Sequence, residues 1–160
     1  MSRADDLAAV DAGLARIGRL TNSRRAARYR SRRSGVDLLP TTMNALGAIN
    51  RLGPVRLTAL SDHVDLEPSR MSKEVTRLVD AGLVTQEPDP SDRRATLLVC
   101  TEEGVDAVNR YRLTVEEILA DLLVTFSDDD LGAMASLLHR LADALSVEPR
   151  DEGPPAQVNR

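Results

Sequence analysis

A chain of 160 residues, 42% hydrophobic and 29% charged, holds enough apolar material for one domain-sized core. No apolar run approaches the roughly 20 residues of a membrane-spanning helix, and Asp5 and Asp6 close behind Arg3 spoil a signal peptide's basic-then-apolar order. A cytoplasmic protein without a membrane partner is therefore expected. The single cysteine, Cys100, excludes an internal disulfide and a CxxC zinc site, and His63 and His139 form no ligand cluster, so neither metal nor cofactor is expected.

A net charge of −4 gives no support to nucleic-acid binding, but its distribution is uneven. Residues 1–50 carry nine basic and four acidic groups, residues 51–94 seven and eight, and residues 95–160 five and thirteen. The acid is concentrated towards the C-terminus.

In chain order, Leu7, Val10, Leu14, Ile17 and Leu20 form one helical stripe, and the spacing predicts a first helix running to about Arg33. Its second half carries Arg24, Arg25, Arg28, Arg30, Arg32 and Arg33 before a Ser34-Gly35 stop. That run reads either as a solvated helix face or as a patch for phosphates or a partner. A second helix opens at Pro40-Thr41-Thr42 with threonine as its cap, carries Met43, Leu46, Ile49 and Leu52 inward, and closes at Gly53-Pro54.

A third helix is expected near Leu57 to His63, then a turn from Asp65 to Pro68, then a fourth helix from Ser69 to Ala81 stopped by Gly82. On the fourth helix Met71, Val75, Leu78 and Val79 are expected to face inward, with Ser69, Arg70, Ser72, Lys73, Thr76 and Arg77 outward. Leu83–Glu87 and Ala95–Cys100 then read as two strands around an arginine-tipped loop, Pro88 to Arg94. Thr101-Glu102-Glu103 caps a long helix of about 25 residues. Ser127 to Asp130 caps a last helix with Leu131, Met134, Leu137, Leu138, Leu141 and Leu145. From Val147 to Arg160 the composition predicts a disordered tail.

Two short helices joined by a tight turn, the second outwardly polar and basic, are the geometry that lays a helix in the DNA major groove. A hairpin behind it with Arg93 and Arg94 supplies a second contact, suited to a narrow, electronegative minor groove. The segment Val55 to Cys100 is accordingly read as a reader of double-stranded DNA.

The stretches "SRMSKEVTRLVDAGLV" and "EPDPSDRRATLLVCTEEG" resemble the MarR family of winged-helix regulators, and the resemblance covers roughly Leu7 to Leu145. Asp89, Pro90, Asp92, Arg93 and Arg94 match the family's wing, and Thr101, Glu102 and Gly104 the start of its long helix. The resemblance implies a mainly α fold with a small β-hairpin wing, in which residues 1–36 and 101–146 form an intertwined helical dimerisation region and residues 37–100 a winged helix-turn-helix. It also implies that Ser69, Arg70, Ser72 and Lys73 touch bases and phosphates, that Arg94 or Arg93 enters the minor groove, and that Asp92 holds the tip by a salt bridge. Ser91 stands where many members carry a further arginine. Tyr29, Met43 and Tyr111 lie on helices that surround a small-molecule pocket in the family, although core packing explains them equally well.

The function that follows is a non-enzymatic, sequence-specific transcriptional regulator, acting as a ligand-responsive repressor and homodimer on a pseudo-palindromic operator. No nucleophile elbow, Walker loop, dinucleotide fingerprint or paired-histidine motif supports an enzyme. Three aromatic residues, none in the reader, leave no stacking platform for single strands. The rival is a winged-helix dimer that has lost DNA binding and acts on a partner regulator, an idea kept alive by the near-neutral balance of residues 51–94.

Overall fold

The structure is a computed structural model that describes residues 2–146, apart from the side chains of Arg93 and Ser146. The expected tail, 147–160, lies outside the described residues. Seven helices and three strands are described: α1 (Arg3–Thr21), α2 (Arg24–Ser34), α3 (Pro40–Leu52), β1 (Val55–Arg56), α4 (Leu57–Val64), α5 (Pro68–Asp80), β2 (Val84–Asp89), β3 (Asp92–Cys100), α6 (Glu102–Leu122) and α7 (Asp128–Ser146). They fall into two compact units, divided between Ile118 and Leu119.

The predicted first helix is two helices. Thr21, Asn22 and Ser23 carry side chains that compete for backbone groups, and Ser23 leaves the helical region to cap α2, its hydroxyl accepting from the Ala26 N–H at 3.2 Å. Arg30 closes the break by donating to the carbonyl of Thr21 at 2.9 Å. Arg33 pairs with Glu117 at 2.9 Å and stands 5.9 Å over the Tyr29 ring. Two of the six clustered arginines therefore serve the local fold, whereas Arg24, Arg25, Arg28 and Arg32 are exposed.

The core of the first unit is built where short elements cross. Ala45, Leu46 and Ile49 of α3, Leu60 of α4, Met71, Val75 and Leu78 of α5, and Val84 and Leu98 of the sheet are buried together. Val79, expected inside, is 36% exposed, because the apolar stripe of α5 is narrower than its sequence spacing suggests. The cap of α3 also differs from expectation. Leu39 occupies the N-cap without a side-chain bond, Pro40 begins the helix, and Thr42 is carried one turn inward and buried.

The sheet is three-stranded and antiparallel, in the order β1-β3-β2. β1 escaped the sequence reading because two residues, Val55 and Arg56, are too short for a period-2 pattern. The predicted seven-residue loop is instead mostly strand. β2 reaches Asp89, β3 starts at Asp92, and only Pro90 and Ser91 turn the chain.

Thr101 joins β3 to α6. Its hydroxyl donates to the Gly82 carbonyl at 2.8 Å and accepts from the Gly104 N–H at 3.0 Å, so one side chain both caps α6 and ties it to the end of α5. Gly82 has the left-handed φ of 72° that this turn requires. In the second unit, Ser127 and Asp130 form the cap of α7, and Phe126, Met134, Leu137, Leu138 and Leu141 line an apolar groove. Among the described residues no helix is long and apolar enough to cross a membrane.

Candidate nucleic-acid interface

α5 presents two chemically different faces. Met71, Val75 and Leu78 fix one face in the core, and rotation by the helical period leaves Ser69, Arg70, Ser72, Lys73, Thr76 and Arg77 exposed on the other. These six are not equivalent. The Thr76 hydroxyl is turned back onto the Ser72 carbonyl at 2.9 Å, and Arg77 donates to Glu74 at 2.6 Å. Ser69, Arg70, Ser72 and Lys73 make no side-chain hydrogen bond or ion pair among the described residues, which leaves them available for a ligand.

Glu74 anchors the helix. Its carboxylate accepts from the buried Thr42 hydroxyl at 2.6 Å and from Arg77, bridging α3 and α5. Burial alone would push this carboxyl up, but the bonds from Thr42 and Arg77, with the charges of Arg77 and Arg70, outweigh it and hold it below its usual range.

The wing departs from a regular hairpin. Pro88 pairs with Thr96, yet Asp89 pairs with Asp92, so Arg93, Arg94 and Ala95 have no counterpart on β2 and form a bulge. The arginines therefore stand beyond the tip, not on it. Arg94 is exposed, and its N–H donates to the Asp92 carboxylate at 3.0 Å; the Arg93 side chain lies outside the described residues.

Among the described residues, Asp89 makes an ion pair at the tip. One Asp89 oxygen accepts from the Ser91 N–H at 2.8 Å and its hydroxyl at 2.6 Å, and the other accepts from Nε and Nη2 of Arg56, the Nε bond measuring 2.8 Å. Ser91, where the family pattern often has arginine, thus closes the turn. Arg56 went unnoticed in the sequence because its partner lies 33 residues away and its strand was invisible.

The Ser91 hydroxyl and N–H, followed by the Arg56 guanidinium, hold the Asp89 carboxyl down at about 2, below the ordinary 3.8. A depressed carboxyl contributes stability that is present above its unfolded value and is lost as pH falls through the folded one. The wing is therefore expected to loosen as pH falls from about 4 towards 2. Followed by NMR from about pH 5 downward, the Ser91 amide resonance should titrate near 2. A midpoint near 3.8 would mean that the tip is open.

Met43 and Tyr111 share a cavity of about 550 Å³ whose walls also include Arg51, His63, Arg112 and Glu116. Tyr29 does not join them. It lines a separate groove with Leu20, Arg25, Arg28 and Arg32. Burial pushes the Cys100 thiol up, away from thiolate reactivity. Among the described residues no three His, Cys, Asp or Glu side chains are placed to hold a metal ion.

Comparison with known proteins agrees with this geometry. The MarR family profile matches residues 36–95, the winged segment. An HTH-type transcriptional regulator of Mycobacterium leprae is 30% identical over 81% of this chain and 86% of its own length. A MarR family protein from Bacillus stearothermophilus has the same fold, with a TM-score of 0.78 at 19% identity over 91% of this chain and 99% of that one. A variant of the E. coli regulator MarR, solved with operator DNA, superposes with a TM-score of 0.66 at 15% identity over 88% of this chain and 99% of that one.

Proposed function

Because the chain belongs to the MarR family of transcriptional regulators, we propose that it is a sequence-specific, double-stranded-DNA-binding repressor that acts in the cytoplasm as a homodimer. The observation that carries this reading is the pairing of an exposed face, Ser69, Arg70, Ser72 and Lys73, with a bulged wing that displays Arg94. α5 enters the major groove and the wing follows the backbone into the neighbouring minor groove. Arg77, Thr76 and Asp92 support these contacts through their own neighbours rather than by reaching bases.

A second copy of the chain supplies the symmetry. Leu7, Val10, Ile17 and Leu20 form an exposed stripe along α1, which buries no residue of its own, and Leu137, Leu138 and Leu145 are exposed on α7. Apolar stripes of this length are the kind of surface that a partner covers. Residues 1–36 and 101–146 then form the dimerisation region and residues 37–100 the reader. Two-fold symmetry places the half-sites about one helical turn apart.

The cavity shared by Met43 and Tyr111 is the effector site in this reading, and Arg51 and His63 suit it to a small organic anion with an apolar body. Such an effector releases DNA by favouring a spacing of the recognition helices that misfits the operator.

The test is a gel shift with duplexes from the region upstream of the protein's own gene, repeated as salt is raised. Affinity should fall steeply, log K against log salt having a slope of about −0.9 per phosphate neutralised. No binding at low salt would replace this reading with that of a module acting on a partner regulator.

A further inference from the structure

We propose that Arg56 is a positioning residue for DNA binding: its ion pair with Asp89 folds the wing tip back and so sets where the bulge of Arg93, Arg94 and Ala95 stands. The proposal rests on the DNA-binding reading above. Arg56 and Glu87 face each other across Leu97, and Asp89 lies two residues beyond Glu87, about 7 Å along β2, so the Arg56 side chain reaches its carboxylate over β3. Asp89 is also the residue at which the register shifts: it pairs with Asp92, which takes residues 93–95 out of the ladder. The ion pair thus holds the residue at which the bulge begins, and the candidate minor-groove arginine lies in the displaced segment.

Asp89 cannot release this contact cheaply. Its side chain is 7% exposed, and its carboxylate has exchanged water for Ser91 and Arg56. Without Arg56, one oxygen is left uncompensated in a nearly closed site, and opening the tip is the simplest relief. Arg56 is also the N-cap residue of α4, so the same residue ties the wing to the start of the helix-turn-helix. Being 45% exposed itself, it has a competing role as a direct phosphate ligand, which the experiment separates.

The full chain is compared with Arg56→Gln, Asp89→Asn, Arg94→Ala and the Arg56→Gln/Arg94→Ala double variant. Without DNA, Arg56→Gln should raise amide hydrogen exchange across residues 88–96 by about 10-fold and leave α3 and α5 protected. With the upstream duplex, Arg56→Gln and Asp89→Asn should each raise Kd by about 10-fold, and the double variant should bind within about 2-fold of Arg94→Ala, since both changes act through one wing. Additive losses, with Arg56→Gln alone lowering the salt slope by about one, would make Arg56 a phosphate ligand and overturn the proposal. Unchanged exchange over 88–96, or a loss of protection throughout the chain, would also overturn it. Wild-type protein that binds no duplex at low salt would remove the DNA reading and the binding role together, with the exchange arm still showing whether Arg56 holds the wing.

Discussion

Replacing Gly104 with alanine is expected to lower the melting temperature by about 6–12 °C, corresponding to about 3 kcal/mol for a chain of this size. A Cβ at this position would lie 2.2 Å from the Leu83 carbonyl oxygen and 2.8 Å from the Cys100 sulfur. The sulfur can give way by a side-chain rotation, but the carbonyl is backbone. It also accepts the Thr101 N–H at 3.1 Å, so moving it breaks a second contact at the junction between reader and α6. Gly47 is the control. It lies in α3 with nothing within 4 Å of an added Cβ, and Gly47→Ala should leave stability unchanged or raise it by up to about 1 kcal/mol. Thermal melts followed by circular dichroism decide the matter. A Gly104→Ala protein as stable as wild type would show that α6 does not start against Leu83.

The second large effect concerns DNA and separates affinity from specificity. Arg94→Ala removes an exposed cation from the bulge, and a charged hydrogen bond is worth about 1.5 kcal/mol per wing, hence roughly 100-fold in Kd for a dimer with two wings. The loss should be similar for many sequences and should flatten the salt dependence. Arg70→Ala should behave differently. If Arg70 pairs bidentately with guanine, its loss relaxes preference at one position in each half-site by about 1–3 kcal/mol and shifts bulk affinity less. Competition titrations with duplexes substituted at single positions distinguish the two patterns. Unchanged binding by both variants at moderate salt would refute the contact assignment and leave the fold intact.

How far the interface could be read beforehand depended on the range of the interactions involved. The exposed face of α5 follows from 3.6-residue periodicity, a property of adjacent turns, and the punctuation residues of α3, α4 and α5 (Gly53, Pro54, Asp65, Pro68 and Gly82) sit where the sequence put them. Periodicity is blind to which exposed side chains are already engaged. Arg77 and Thr76 looked like Arg70 and Ser72 until Glu74 and the Ser72 carbonyl were placed beside them. Likewise, the six arginines between Arg24 and Arg33 read alike as a solvated face or a patch, whereas Arg30 caps α1 and Arg33 pairs with Glu117.

The chain by itself determined its helices apart from the break between α1 and α2, its helix-turn-helix and the presence of an arginine-bearing hairpin, because caps, glycines and apolar spacing act within a few residues of one another. It also carried the Thr101–Gly104 pattern without its cause. Tertiary structure alone decided that Gly104 must admit the Leu83 carbonyl, that Glu74 faces Thr42, and that Asp89 takes an ion pair with Arg56. Each of these contacts joins residues that are 21 to 33 positions apart. Close approach of backbone, burial of a carboxylate and a shift of strand register arise only when such distant segments meet, and no local pattern records them.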